Sequence, residues 1–233
     1  MSMNKNQKVL KIYGDSILKG VIYNEEDRYV LLEDNGHAKL GQALNMEVQS
    51  SVLFGCTVTK GMQLLERGMK KGLACDMVLL EYGGNDCDFL WDEVAARPEL
   101  DHFPKTSLTK FDETLRTMIA LLNSIAIVPV LMTLPPIDSE KFFAHICRKG
   151  LDEKNILYWL NDVYNIGRHQ AEYSEQIVKI AADTHTTLID VRSKFVAYQK
   201  QNPLLCEDGI HPNEQGNALI MQILADEGAR LIA

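Results

Sequence analysis

The sequence contains little cysteine: it has five, an odd number, and no two of them form a C-x-x-C pair. A disulfide framework needs paired cysteines, and structural zinc sites commonly use C-x-x-C pairs as ligands. We therefore expect neither a disulfide-stabilised fold nor a structural zinc site. This cysteine usage predicts a protein of a reducing compartment.

Long hydrophobic runs and an excess of positive charge are missing as well. No segment reaches the roughly 18 apolar residues of a membrane-spanning helix, and the opening MSMNKNQKVLKIYGDS has no signal-peptide-like apolar stretch. The 24 Lys and Arg residues are outnumbered by 32 Asp and Glu residues, which gives a net charge of −8. Such a chain is a poor candidate for binding nucleic acid or an anionic membrane. The sequence predicts a cytoplasmic protein.

Internal repeats, low-complexity tracts and Pro/Gly/Ser-rich linkers are also absent, which favours a single domain over residues 1–233. With 46% hydrophobic residues, the chain can bury a sizeable core. Short apolar runs alternate with amphipathic segments along it. We predict strands at 9–13, 46–54, 76–82, 127–136 and 187–191, and helices at 60–73, 107–126, 160–184 and 213–232.

This alternation of strands and helices predicts an α/β fold. Because crossovers between parallel strands are right-handed, we expect a three-layer α/β/α domain with a doubly wound parallel sheet. Ligands in such folds bind beyond the carboxyl ends of the strands. Four residues that follow predicted strands are therefore expected at that edge: Ser16, Gly55, Asn85 and Pro135.

Ser16 follows the first predicted strand in the segment KVLKIYGDSILKGV, which lacks the second glycine of a G-x-S-x-G nucleophile elbow. The serine has two interpretations. It could cap a following helix by accepting a hydrogen bond from a free backbone N–H. It could instead be a nucleophile, which requires a neighbouring imidazole because a serine hydroxyl is weak at neutral pH.

Of the six histidines, His211 has the most informative surroundings, the segment CEDGIHPNEQG, with Asp208 three residues before it. A tight turn could bring the Asp208 carboxylate onto one imidazole nitrogen and leave the other as a proton acceptor. Taken alone, however, the segment is more typical of a capped turn with a surface histidine.

Two further segments offer hydrogen-bond donors for a negatively charged oxygen. In LLEYGGNDCDF, a buried strand leads into two glycines and Asn85, whose amide could donate to an oxyanion. In FGCTVTKG, Gly55 could present its backbone N–H from a strand-end loop. Both segments are also ordinary turn sequences. Together with Ser16 and the Asp–His pair, they complete a set that is consistent with a serine hydrolase.

With these segments in this order, the chain resembles the SGNH/GDSL hydrolase superfamily over essentially its whole length. The family's four blocks correspond to GDS at 14–16, the glycine of FGCTVT, GND at 84–86 and DGIHP at 208–212. The second block is the loosest of the four, and Gly61 is a weaker rival to Gly55 for its role.

The resemblance implies a flavodoxin-like sheet of about five parallel strands. It implies hydrolysis of carboxylic esters or thioesters, with acyl transfer as an alternative reaction on the same site. It also gives Asp15 a structural role in the turn that carries Ser16. No metal or organic cofactor is implied.

The resemblance further assigns roles within the site. Ser16 would be the nucleophile, His211 the general base and then acid, and Asp208 the partner of the imidazole. The oxyanion hole would consist of the backbone N–H groups of Ser16 and Gly55 together with the Asn85 side chain.

Two segments, near 88–105 and 137–164, exceed what this fold needs and are expected beside the active site. Their aromatic residues could wall an acyl pocket or stack on a sugar ring. They could equally pack the inserts onto the body of the domain or form a homo-oligomer interface. The expected substrate is a small or medium acyl ester, on a carbohydrate or a lipid. The aromatic residues are Phe89, Trp91, Phe103, Phe142, Phe143, Tyr158, Trp159 and Tyr164.

A non-catalytic flavodoxin-like module that binds a phosphate or a flavin would have the same architecture. The sequence disfavours it, because the first strand-end loop lacks a glycine-rich phosphate cradle such as G-x-G-x-x-G.

Overall fold

The computed structural model describes residues 7–148, 150–199 and 203–232. The strands are β1 (Lys8–Gly14), β2 (Val21–Tyr23), β3 (Tyr29–Leu31), β4 (Met46–Val52), β5 (Met77–Leu80), β6 (Val128–Met132) and β7 (Thr187–Ile189). The helices are α1 (Ser16–Lys19), α2 (His37–Leu44), α3 (Val58–Lys70), α4 (Trp91–Ala96), α5 (Leu108–Ser124), α6 (Ser139–Cys147), α7 (Glu153–Leu160), α8 (Asn165–Thr184), α9 (Val191–Gln199) and α10 (Glu214–Ile232).

Five of the strands form one parallel sheet in the order β4-β1-β5-β6-β7. In this order β1 has one strand, β4, on one side and three strands, β5, β6 and β7, on the other, as in flavodoxin-like folds. The predicted α/β fold with five parallel strands is thus confirmed. Tyr13 of β1 pairs with both Ser51 of β4 and Leu80 of β5. The loops after these three strands therefore meet at one edge of the sheet.

The side chains of the central strands alternate between two apolar layers, as the two-residue period of a strand requires. Val78 and Leu80 of β5 pack against α3, α5 and α8. Leu79 packs on the opposite face, in the layer that contains α2, α9 and α10. The nearly continuous apolar sequence of β5 follows from this burial on both faces.

A third, smaller apolar cluster joins α4, α6, α7 and the beginning of α8. Most of these residues belong to the two inserts, and we call residues 88–105 and 137–164 the cap. This cluster shares no buried residue with the two apolar layers of the sheet, so the cap packs largely within itself.

The sequence prediction was wrong at several boundaries. A single helix was expected over 160–184, but α7 ends at Leu160, and Asn161 has a left-handed φ of 60° before α8 begins. The strands expected to reach Pro136 and Val191 end at Met132 and Ile189. The β2–β3 hairpin and helix α9 were not predicted at all.

No helix within the described ranges is both long and apolar enough to span a membrane.

Candidate active site

Ser16 is the first residue of the one-turn helix α1, directly after β1. The cap of this helix is Asp15, whose Oδ1 accepts a hydrogen bond from the Ile17 N–H at 2.8 Å. The interpretation of Ser16 as the helix cap is therefore wrong, because the preceding aspartate occupies that position. Ser16 Oγ instead lies 2.9 Å from Nε2 of His211.

Asp208 and His211 lie in the loop before α10 and are both buried. The Asp208 Oδ1 accepts hydrogen bonds from the backbone N–H groups of Ile210, at 3.2 Å, and His211, at 3.1 Å. Its Oδ2 lies 2.5 Å from His211 Nδ1. Since the carboxylate is held by two backbone donors and only accepts hydrogen bonds, Nδ1 carries the proton and Nε2 faces Ser16 as an acceptor.

Gly209 allows this loop to pack tightly against the cap. Its φ is 76°, and a Cβ atom there would lie 2.5 Å from the Phe142 backbone nitrogen and 2.6 Å from the Asp138 carbonyl oxygen. Asp138 N–H also donates to the Gly209 carbonyl at 2.8 Å. The start of α6 therefore braces the turn that orients the imidazole.

Asn85 and Gly55 line the same cavity as Ser16 and His211. One N–H of the Asn85 amide donates to Asp15 Oδ2 at 2.6 Å. The amide has a second N–H, which is available to a ligand in the cavity. Gly55 has a φ of 66° and lies next to the Asn85 amide oxygen.

Gly61, the rival to Gly55, has a different role. It lies inside α3 and is buried against the ring of Tyr82, where a side chain would collide with that ring. It therefore permits close packing of α3 on the sheet and does not line the cavity.

Asp86 connects the two loops that carry the amide donors. Its buried carboxylate accepts the Val58 N–H with both oxygens, at 3.0 and 3.1 Å, at the start of α3. Burial raises the pKa of Asp86 to about 6, while hydrogen bonds from Thr106 and Val58 oppose that rise. The loop with Asn85 is thus tied to the loop with Gly55.

Two aromatic residues beside the imidazole were not identified from the sequence. The Phe54 ring stacks on His211 at a centroid distance of 5.9 Å, and Tyr29 meets it edge-on at 5.1 Å. The Tyr29 hydroxyl lies 3.0 Å from Nε2 of His145 in the cap. Phe54 could have been found from its position next to Gly55. Tyr29 belongs to the unpredicted hairpin, in a largely polar stretch that gave no signal.

The site opens into a cavity of about 600 Å³, which lies within the size range of small-molecule sites. Much of its wall is apolar and comes from the cap and the residues next to it, including Phe89, Leu90, Trp91, Ile137, Phe142, Ile146, Leu151 and Ile166. The cap aromatics thus divide: three line the cavity, Phe143 and Trp159 pack inside the cap, and Phe103, Tyr158 and Tyr164 are exposed.

Acidic side chains on the cavity wall are partly neutralised. The Asp88 carboxylate accepts hydrogen bonds from Lys105 Nζ, at 2.7 Å, and from the Trp91 indole N–H, at 2.8 Å. These two donors leave Asp88 less able to repel or bind a ligand charge.

The arrangement can support nucleophilic chemistry on a carbonyl group. A serine hydroxyl, an imidazole and a buried carboxylate are linked by consecutive hydrogen bonds, and residues with amide donors line the same cavity. Such a chain can transfer the serine proton to the imidazole, while the donors stabilise negative charge on an oxygen. A site of this kind on a flavodoxin-like frame is typical of the class of hydrolases that act on acyl groups.

Comparison with protein families identifies the family to which the chain belongs. The model of the GDSL-like Lipase/Acylhydrolase family matches residues 12–219. The chain belongs to this family and is an acylhydrolase or esterase of the GDSL type. Among curated proteins, no sequence match is found.

Solved structures with the same fold include a lipase/acylhydrolase from Enterococcus faecalis, with 21% identity, a TM-score of 0.63, and coverage of 96% of this chain and 97% of that one. The acetyl xylan esterase AlAXEase has 22% identity and a TM-score of 0.61, with coverage of 94% and 98%. The esterase EstA from Pseudoalteromonas sp., in a structure inhibited by monoethylphosphonate, has 17% identity and a TM-score of 0.62, with coverage of 97% of this chain and 99% of that one.

Proposed function

We propose that this protein hydrolyses carboxylic esters through an acyl-enzyme formed on Ser16. The observation that carries the proposal is the continuous hydrogen-bonded chain from Ser16 Oγ through His211 to Asp208, with distances of 2.9 and 2.5 Å. A hydroxyl in contact with a neutral imidazole nitrogen is the arrangement that activates a serine. Family membership independently supports ester hydrolysis.

In the first half of the reaction, Ser16 Oγ forms a bond to the ester carbonyl carbon and its proton moves to His211 Nε2. The Asp208 carboxylate stabilises the imidazolium that results. The carbonyl oxygen becomes negatively charged and receives hydrogen bonds from the Ser16 and Gly55 backbone N–H groups and from the free N–H of Asn85. Collapse of this intermediate breaks the bond to the alcohol, which takes the proton from Nε2.

In the second half, a water molecule replaces the alcohol. His211 Nε2 takes a proton from the water as its oxygen attacks the acyl carbon, and the same proton then returns to Ser16 Oγ. The carboxylic acid leaves, and the enzyme is restored. All proton transfers pass through one nitrogen, which fits its contact with Ser16 Oγ and the position of His211 on the cavity wall.

The substrate we propose is a small or medium acyl ester. The apolar wall supplied by the cap suits a hydrocarbon chain, because burying each CH₂ group contributes about 0.8 kcal/mol. Anionic acyl groups are less suitable, since Asp92 also lies on the wall. The name of the acetyl xylan esterase neighbour sets acetate as the short end of the range to test.

The test is hydrolysis of a panel of chromogenic esters from acetate to laurate by the native chain and by Ser16→Ala. We expect hydrolysis by the native chain and a loss of kcat on the order of 10⁶ in the variant, because the nucleophile is removed. Thermal unfolding should show that the variant remains folded. Substantial kcat in folded Ser16→Ala would contradict the proposal.

A further inference from the structure

Glu81 is a fully buried carboxyl group that the proposed reaction does not use. It follows β5, and its Oε2 accepts a hydrogen bond from the Asp15 backbone N–H at 2.9 Å. A Cβ atom on Gly14 would lie only 2.7 Å from this oxygen. The glycine of the GDS block therefore leaves room for the Glu81 carboxyl against the end of β1.

The carboxyl groups of Glu81 and Asp15 interact with each other, and the Asp15 N–H joins the two residues through Glu81 Oε2. Both are buried, and a hydrogen bond between two carboxyl groups requires a proton on one of them. Two ionised carboxylates in contact away from water repel strongly, so the pair retains a proton. Burial raises the pKa of Asp15, and burial together with the Asp15 charge raises the pKa of Glu81 well above its usual range.

The hydrogen bonds of Asp15 show which carboxyl holds the proton. Its Oδ1 accepts from the Ile17 N–H at 2.8 Å, and its Oδ2 accepts from the Asn85 amide at 2.6 Å. Both oxygens act as acceptors, as in an ionised carboxylate. Glu81 Oε1, in contrast, receives no donor from any described residue. The proton therefore belongs on Glu81, where Oε1 can carry it as a donor.

Other titratable groups around this pair favour the same arrangement. Asp86, Tyr82 and Cys56 all interact electrostatically with Glu81, and none of them is positively charged. His211 acts on Asp15, the other carboxyl of the pair: the positively charged form of the imidazole lowers the pKa of Asp15. The negative charge of the pair is thus favoured on Asp15, the member on which His211 acts.

We propose that Glu81 is a positioning residue, whose neutral carboxyl donates to Asp15 and fixes the Asp15 carboxylate between the Ser16 turn and the Asn85 amide. The inference rests on the proposed function and adds to it a residue that touches no substrate. Ionisation of Glu81 would place two negative charges in contact. Asp15 would then shift, and both the serine turn and the oxyanion donor would lose their alignment.

The test compares Glu81→Gln and Glu81→Leu with the native chain across pH, using one ester from the panel. Glutamine keeps an acceptor for the Asp15 N–H and a neutral donor for its carboxylate, so kcat at neutral pH should stay within a few-fold of native. Leucine has neither group, and kcat should fall about 10- to 100-fold with little change in KM, because an oxyanion donor acts in the transition state.

The pH profile separates this role from a purely structural one. In the native chain, kcat should decline on the alkaline side as Glu81 loses its proton. In Glu81→Gln this decline should move to higher pH or disappear, since glutamine does not ionise. Glu113→Gln, a change at an exposed glutamate of α5, is the matched control and should keep the native profile.

Three results would overturn the proposal: native kcat in folded Glu81→Leu, an unchanged alkaline limb in Glu81→Gln, or equal losses in the two variants at neutral pH. If Glu81→Leu does not fold, the Glu81→Gln profile decides alone. Failure of the proposed function would look different, because Ser16→Ala would then retain activity whatever residue stands at position 81.

Discussion

The carboxyl edge of the sheet and the cap that covers it are built on different physical principles. At the edge, Ser16, Asp208 and His211 are buried polar groups, held by directional hydrogen bonds. The cap is held mainly by contacts between apolar and aromatic side chains. Hydrogen bonds fix atoms to within tenths of an ångström, whereas apolar packing mainly fixes volume. Changes at the edge should therefore alter the rate, and changes in the cap should alter which ester is preferred.

Of the changes that distinguish the edge from the cap, Asp208→Asn should have the largest effect on kcat. Asparagine would keep the size of the side chain but lose the charge that stabilises the imidazolium, and it would favour the wrong imidazole tautomer. We expect kcat to fall on the order of 10³- to 10⁴-fold for every ester in the panel. Steady-state kinetics with acetate and octanoate esters measures the effect.

A matched substitution in the cap is Asp152→Asn. Asp152 caps α7 and accepts the Asn155 N–H at 3.0 Å, a function that asparagine serves equally well. The Asp152→Asn substitution should therefore leave kcat unchanged. If Asp208→Asn and Asp152→Asn behaved alike, the distinction between the edge and the cap would fail.

A smaller effect is expected from Leu151→Trp, which fills part of the cavity from the cap side. It should lower kcat/KM for the longest esters about tenfold and leave acetate nearly unaffected, because one or two methylene contacts are worth about 1–3 kcal/mol. Leu157→Trp is the control, since Leu157 lies in the same cap but is 41% exposed and does not line the cavity. A uniform loss across all chain lengths in Leu151→Trp would show that the cap affects rate and not selectivity.

The sequence predicted the edge better than the cap, and the reason is local. The DGIHP segment contains the carboxylate, the turn glycine and the imidazole within five residues, so their contact follows from one loop. Strand β5 was predictable because its burial on both faces leaves a nearly continuous apolar run. Helix α5 was predictable from its amphipathic period.

Features that depend on contacts between distant segments could not be predicted in this way. Tyr29 reaches His211 only because the β2–β3 hairpin folds back beside the edge. Glu81 looked like one polar residue at the end of an apolar strand, and its partner Asp15 is 66 residues away. The break at Asn161 lies within an otherwise helical pattern and depends on a left-handed backbone conformation.

The central claim is that Ser16 is the nucleophile, and covalent labelling tests it most directly. A fluorophosphonate reacts when a serine oxygen bonds to phosphorus and fluoride leaves, with the serine proton passing to the imidazole. Intact-mass and peptide analysis should show one adduct, on the peptide that contains Ser16, and none in Ser16→Ala. An adduct on another residue, or equal labelling of the variant, would contradict the account.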